Sequence, residues 1–351
     1  MSINTLAHVF TPHGNIVYTA NDFRQTVRIA VAGTIALSIS TFYDVQYGVF
    51  FVVYPLMLMS LVPMFNLHVA RQFIFSAAVN CVEMVLIVGY LSQWPVIMTL
   101  VVFALYVMRF RFMSQGPLFL LGSMGVVCQS TMLNFMSYPT SNWHTLMFSN
   151  MEACVMAVAL SALLHYLIPD LEPPPRIEKD AARIRHESLL SGTVATIIFV
   201  VFQICDLSDS LSALMAGILI LFPMHYRGAV ISSIWRVVGV VLACLYILVV
   251  QLIIYDFSNH MILMMPLIGL GLAFSARLHV MEKVGAGVGF ASITTIGIMF
   301  GQNLHPYQDL VFSDLYRITS VTVSLVVTLT LVFLMHRLLN CFAASRFVVS
   351  D

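Results

Sequence analysis

Ile168-Pro169-Asp170-Leu171-Glu172-Pro173-Pro174-Pro175-Arg176 interrupts a chain that is otherwise almost continuously apolar, and it falls near the middle of the 351 residues. The prolines fix φ and withhold backbone donors, so this segment is a stiff polar exit from whatever precedes it. A charged stretch follows as far as Glu187 and brings Lys179, Arg183 and Arg185 to join Arg176. Basic residues in short loops are held on the cytoplasmic side during membrane insertion, which places this hinge in the cytoplasm. It is too short to fold as a soluble domain.

On both sides of the hinge, apolar segments recur at about the 20 residues needed to cross roughly 30 Å of hydrocarbon. Six precede it, near 25–42, 47–62, 72–90, 95–110, 117–135 and 148–168. Six follow, near 188–204, 211–224, 229–254, 261–276, 284–300 and 314–338. The segments 47–62 and 211–224 are short for a crossing, which points to tilted or re-entrant passages. Charge counts the crossings independently. Of the 16 Lys and Arg, all except Arg317 fall on alternate connections: Arg24 and Arg28 at the first span, Arg71 after the second, Arg109 and Arg111 after the fourth, then the hinge. Arg227 and Arg236 follow the eighth span, Arg277 and Lys283 the tenth, and Arg337 and Arg346 the twelfth. The remaining connections carry Asp44, Asp206, Asp209, Asp256 and Asp309. The expectation is an all-α integral membrane protein of about twelve transmembrane helices with both termini cytoplasmic. The first half occupies residues 1–170, the linker 171–187 and the second half 188–351.

Composition excludes other classes. Apolar residues make up 60% and charged residues 9%, against about 25% charged in soluble globular domains. A net charge of zero lacks the basic face that nucleic acid requires. The six cysteines show no CxxC pair and read as small buried residues. The first twenty residues, with His8, Pro12, His13 and Asn15, hold no continuous apolar core, so the first span is expected to serve as an uncleaved insertion signal. No GxSxG, Walker, HExxH or phosphate-loop motif appears, and Gly285-Ala286-Gly287-Val288-Gly289 lies in an apolar span where small residues allow close packing. His68, His165, His225, His279 and His336 fall toward cytoplasmic span ends, where they suit interfacial anchoring. No enzyme, cofactor or metal site is expected, and any transport would draw on an ion gradient.

The halves show an internal repeat. Leu61-Val62-Pro63-Met64 ends the second span and Leu221-Phe222-Pro223-Met224 the eighth; Phe148-Ser149-Asn150 opens the sixth and Phe312-Ser313-Asp314 the twelfth. Six spans per half make the two repeats parallel, related by an axis along the membrane normal. In the second half Pro223 leads through a basic loop to Arg236-Val237-Val238-Gly239. A proline closing one span before an Arg-x-x-Gly that opens the next resembles the fusaric acid resistance and aromatic acid exporter superfamily. The first half is similar in outline, with Arg24, Arg28, Asp44-Val45-Gln46-Tyr47-Gly48 and Pro63, but has Ser76 and Val79 where the arginine and glycine would fall. The large cytoplasmic domains of the long exporters are missing, so the likeness is to a compact, functionally undescribed branch. The resemblance implies export of small, often aromatic, organic acids across the bacterial inner membrane, with a periplasmic membrane-fusion adaptor as partner.

Glu83 is the acidic residue nearest the middle of a span, with Asn80 one turn earlier on the same face. A carboxylate there costs roughly 2.5–3.5 kcal/mol unless protonated or paired, which makes Glu83 the candidate for proton coupling. A neutral glutamate bonded to a neighbouring helix would look identical in sequence. Glu152, nearer the external end of the sixth span, is a secondary candidate. Arg28 and Arg236 open spans from the cytoplasmic side and could bind a carboxylate bidentately, although snorkelling to headgroups is the simpler account. Arg317 stands on the side that excludes other basic residues, where Asp314 one turn away neutralises it or it lines an anion path. The 22 methionines and 25 phenylalanines offer an adaptable lining for an aromatic ligand, and they are equally ordinary membrane-helix residues.

These readings converge on a proton-coupled secondary exporter of small organic acids, in contact with membrane lipid and open to homo-oligomer formation. The alternative is a membrane scaffold or regulatory component of an envelope complex that transports nothing. A major-facilitator transporter would share the twelve spans, but its long basic central loop and basic second-loop signature are not evident.

Overall fold

A computed structural model describes residues 18–62, 64–136, 142–169, 181–207, 210–254, 261–282, 287–302, 310–342 and 345. Pro63, the hinge from Asp170 to Asp180, Asp209, Asp256, Lys283, Asp309 and Arg346 lie outside them, as do the side chains of Phe312 and Ser313. Among the described residues the chain forms twelve α-helices and no strand: α1 Ala20–Phe42, α2 Gly48–Leu61, α3 Leu67–Leu86, α4 Pro95–Gln115, α5 Phe119–Met136, α6 Trp143–Leu167, α7 Ala181–Ile204, α8 Leu211–Leu219, α9 Tyr226–Ile254, α10 Met261–Glu282, α11 Val288–Gln302 and α12 Leu310–Asn340. A π-helical turn, Ile87–Leu91, extends α3.

Local sequence sets many of these ends. Thr19 and Asp22 form a reciprocal capping box at α1, and Asn66 and Asn142 accept from the third helical amides of α3 and α6. Pro95 opens α4, and Gly116, at φ 88°, closes it. Just past the C-terminal ends of α1 and α7, Asp44 and Asp206 take left-handed conformations at φ 47° and 51°, a geometry that aspartate tolerates.

Among the described residues nine helices, α1, α3–α7, α9, α10 and α12, are long and apolar enough to cross a bilayer, the architecture of an all-α, multi-pass membrane protein. The other three, α2, α8 and α11, are short and inside. All of α2 except Leu61 is buried, all of α8 except Ser212, and α11 from Gly289 to Phe300. A helix that is apolar all round is a core element, and one shielded from lipid can stop short because its terminal polar groups meet protein. With 9 residues, α8 is only about 14 Å long, and Ile220 to Phe222 continue it as buried turns. The sequence reading carried that span to 224. Around this core, α3, α4, α9 and α12 turn large apolar side chains outward, among them Phe75, Leu100, Leu252 and Val326.

Packing follows a pattern with a step of six helices. The pairs α1–α2, α1–α6, α2–α6, α3–α5, α3–α6 and α4–α5 recur as α7–α8, α7–α12, α8–α12, α9–α11, α9–α12 and α10–α11. Contacts between the halves do the same: α1 packs along α10 as α7 does along α4, and α2 meets α11 as α8 meets α5. Ala32-Gly33-Thr34-Ile35-Ala36 and Ser191-Gly192-Thr193-Val194-Ala195 mark the two long crossings. A Cβ at Gly33 would meet Leu56 and Leu272, and one at Gly192 would meet Val107. The sequence reading did not single out this pair.

Several helices run deeper than hydropathy indicates. Arg109 and Arg111 belong to α4, Arg277 to α10, and Arg183 to Glu187 to the first turns of α7, so the helical part of the second half begins before residue 188.

Candidate functional site

Glu83 on α3 forms an ion pair with Arg109 on α4. Arg109 is 3% exposed and Glu83 14%. The guanidinium lies across Gly125 of α5, where a Cβ would collide with Arg109 Nη1. Three helices therefore build the pair: α3 supplies the acid, α4 the base, and α5 a gap in its own surface for the base to cross. The register of α3 on α5 is fixed below it, where Gln72 Nε2 donates to the Pro117 carbonyl at 2.9 Å and Ser76 Oγ to the Leu121 carbonyl at 3.2 Å. Carried up by one or two turns, the same register sets Asn80 and Glu83 level with Gly125 and Gln129.

The surroundings are buried amides with spare bonding capacity. Asn80 Nδ2 donates to the Ser76 carbonyl at 2.8 Å, and its Oδ1 has no hydrogen-bond partner among the described residues. Nε of Arg109 and both amide atoms of Gln129 are likewise without partners there, as are those of Asn134 further along α5. Leaving such groups unsatisfied costs about 1–3 kcal/mol each, so this interior is not optimised for packing alone. Beside it, Tyr54 of α2 donates to Asn150 Oδ1 of α6 and sits 2.9 Å from Cys128 Sγ of α5. Asn150 Nδ2 donates to Cys81 Sγ at 3.4 Å, so three of the cysteines read as inert core belong to a polar seam.

Residues after the hinge make some of the same helix contacts with different charges. A Cβ at Gly122 would meet the Arg109 carbonyl and Met113; a Cβ at Gly289 would meet the Ser275 carbonyl and His279. These contacts put Ser275 of α10 at the place of Arg109 and Ser292 of α11 at the place of Gly125, and the two serines share a hydrogen bond of 2.7 Å. The arginine that this half buries against α11 is Arg236 on α9, at the place of Ser76. It is 4% exposed, its Nη2 donates to Thr294 Oγ1 of α11 at 3.3 Å, and its Nε has no partner among the described residues. Gly239, one turn on, lets α9 approach α11, since a Cβ there would meet the Val288 carbonyl. No described carboxylate pairs with Arg236. Glu282, on neighbouring α10, accepts instead from the first amides of α11, Val288 N at 3.0 Å and Gly289 N at 3.2 Å.

The other sequence candidates lie elsewhere. Arg28 is 1% exposed and donates to the Ile168 carbonyl at 2.8 Å, while Arg24 reaches the Pro169 carbonyl at 3.0 Å. Both cap the C-terminal end of α6, where cations meet the negative end of the helix. Arg317 and Asp314 are both buried on α12, and neither Asp314 oxygen has a hydrogen-bond partner among the described residues. Glu152 is on the exposed surface of α6 and joins neither constellation. Two buried residues escaped the sequence reading, Arg109 and Glu187. Both look like members of basic or charged connections, yet Glu187 is fully buried and accepts from Ser114 Oγ at 2.5 Å and Arg183 Nε at 2.7 Å.

Residues 25–164, from α1 to α6, match the profile of a family described as "Protein of unknown function (DUF2955)". No curated protein and no solved structure matches the chain.

Proposed function

We propose that this protein is a secondary transporter of the inner membrane that exports small, often aromatic, organic acids in exchange for protons. Its twelve helices are read as twelve spans arranged as two parallel six-helix repeats with both termini in the cytoplasm, and a periplasmic adaptor protein fits the exporter resemblance. The observation that carries the proposal is the Glu83–Arg109 pair, buried among unpartnered amides inside an apolar bundle. An ion pair desolvated in this way contributes little to stability compared with well-packed apolar residues, and ionisable groups inside membrane helices characteristically mark proton or substrate pathways. Protonation of Glu83 changes the charge of this buried site by one unit, which ties proton binding to what the site can hold.

The test uses inside-out vesicles energised to be acid inside, supplied with radiolabelled benzoate. Passive distribution drives a weak acid toward the alkaline outside, so accumulation inside has to be carrier-mediated. Accumulation that collapses with a protonophore and falls at least 10-fold in Glu83→Gln is the expected result. No accumulation of any acid across a broad aromatic panel, together with an intact cellular phenotype in Glu83→Gln, would instead assign the protein to the scaffold class.

A further inference from the structure

The two halves differ in one respect that packing does not explain. Each buries an arginine against its fifth helix, Arg109 by way of α4 in the first half and Arg236 by way of α9 in the second. Among the described residues Arg109 has Glu83, and Arg236 has a single hydroxyl, Thr294 Oγ1. The position corresponding to Glu83 in the second half is Ala243, which is fully buried, so the chain offers no acid there. A buried guanidinium with one neutral partner is among the most unfavourable arrangements a bundle interior can hold. We propose that Arg236, with Thr294, binds the carboxylate of a small organic monoacid, and that the ligand does for Arg236 what Glu83 does for Arg109.

The chemistry of the site narrows the ligand. One buried guanidinium neutralises one negative charge, so a phosphate or dicarboxylate would leave an excess charge in the buried interior. The planar fork of arginine matches two carboxylate oxygens, a geometry that a spherical halide cannot use. Thr294 Oγ1 donates to the Phe290 and Ala291 carbonyls at 3.0 Å, which leaves its lone pairs directed to Arg236 and fixes the guanidinium. The proposal takes its ligand class from the transport reading, but the site is testable apart from transport.

The full chain in lipid nanodiscs is titrated with benzoate, its neutral isostere benzamide, and chloride, following both binding heat and thermal stability. Wild type is expected to bind benzoate and be stabilised by it, with no response to benzamide and at least 10-fold weaker competition by chloride. Arg236→Met should lose benzoate binding by at least 10-fold while its ligand-free stability stays equal to or above wild type, because an uncompensated buried charge has gone. A merely structural arginine would move that second readout down. Arg236→Lys keeps the charge without the fork and should bind about 10-fold more weakly, which covers the case in which the methionine variant does not fold. Undiminished benzoate stabilisation in either variant, or chloride competing as well as benzoate, overturns the assignment. Binding without vesicle transport would retain the site and retire the exporter. Transport by Arg236→Met with unchanged KM would do the reverse.

Discussion

At the scale of single residues the Glu83–Arg109 pair shows how a membrane interior accommodates charge. Neither partner is tolerable alone: taking one member from a buried pair costs about 3–5 kcal/mol, whereas replacing both by neutral groups of similar size is often harmless. Arg109→Met, which strands the Glu83 carboxylate, should therefore lower the unfolding temperature in detergent by several degrees. The double variant Glu83→Gln/Arg109→Met should recover more than half of the loss, giving a clear coupling term in a double-mutant cycle. Additive losses would mean that the two side chains contribute independently, through packing, and that the pair is incidental. Glu83 was legible in the sequence because a lone acid inside a span stands out against apolar neighbours. Its partner was not, since Arg109 sits near the end of the fourth apolar segment and reads as one more retained charge; the glycine beneath it, Gly125, records that an arginine crosses there.

Among elements, the same distinction between what hydropathy sees and what it misses fixes the helix ends. Periodic apolar content located twelve helices, but it stopped α4 before Arg111, α10 before Arg277 and began α7 after Glu187, because a charge is scored as a boundary even where a helix continues with the charge capped or paired. The two inter-half crossings show what did need side-chain packing to see. At Gly33 a new Cβ meets the terminal methyls of Leu56 and Leu272, which can rotate aside. At Gly192 it meets the Val107 backbone, with Cα and N both at 2.9 Å, which cannot. Gly33→Ala should thus change stability by less than about 1 kcal/mol, and Gly192→Ala should destabilise by about 1–3 kcal/mol as α7 is pushed off α4. Thermal unfolding of the two purified variants side by side decides it, and equal losses would show that the crossings do not differ in rigidity.

For the whole molecule, the proposed orientation rests on basic residues falling on alternate connections, and the chain carries its own probes of it. Cys205, just beyond the C-terminal end of α7, and Cys341, just beyond α12, are exposed, while Cys128, Cys154 and Cys244 are buried and Cys81 is partly so. If helices alternate as the charges indicate, these two thiols face opposite sides of the membrane. A membrane-impermeant maleimide added to right-side-out vesicles should label Cys205 and spare Cys341, and inside-out vesicles should reverse the pattern, with Cys205→Ser and Cys341→Ser assigning each signal. Because α7 and α12 are the first and last helices of the second half, this outcome requires an even number of crossings from the cytoplasmic start of α7 to the end of α12. Labelling of both thiols from one side would make the number of crossings between Cys205 and Cys341 even instead of odd. One of the short helices α8 or α11 would then have to enter and leave by the same face, and the parallel relation of the two arginine sites would no longer hold.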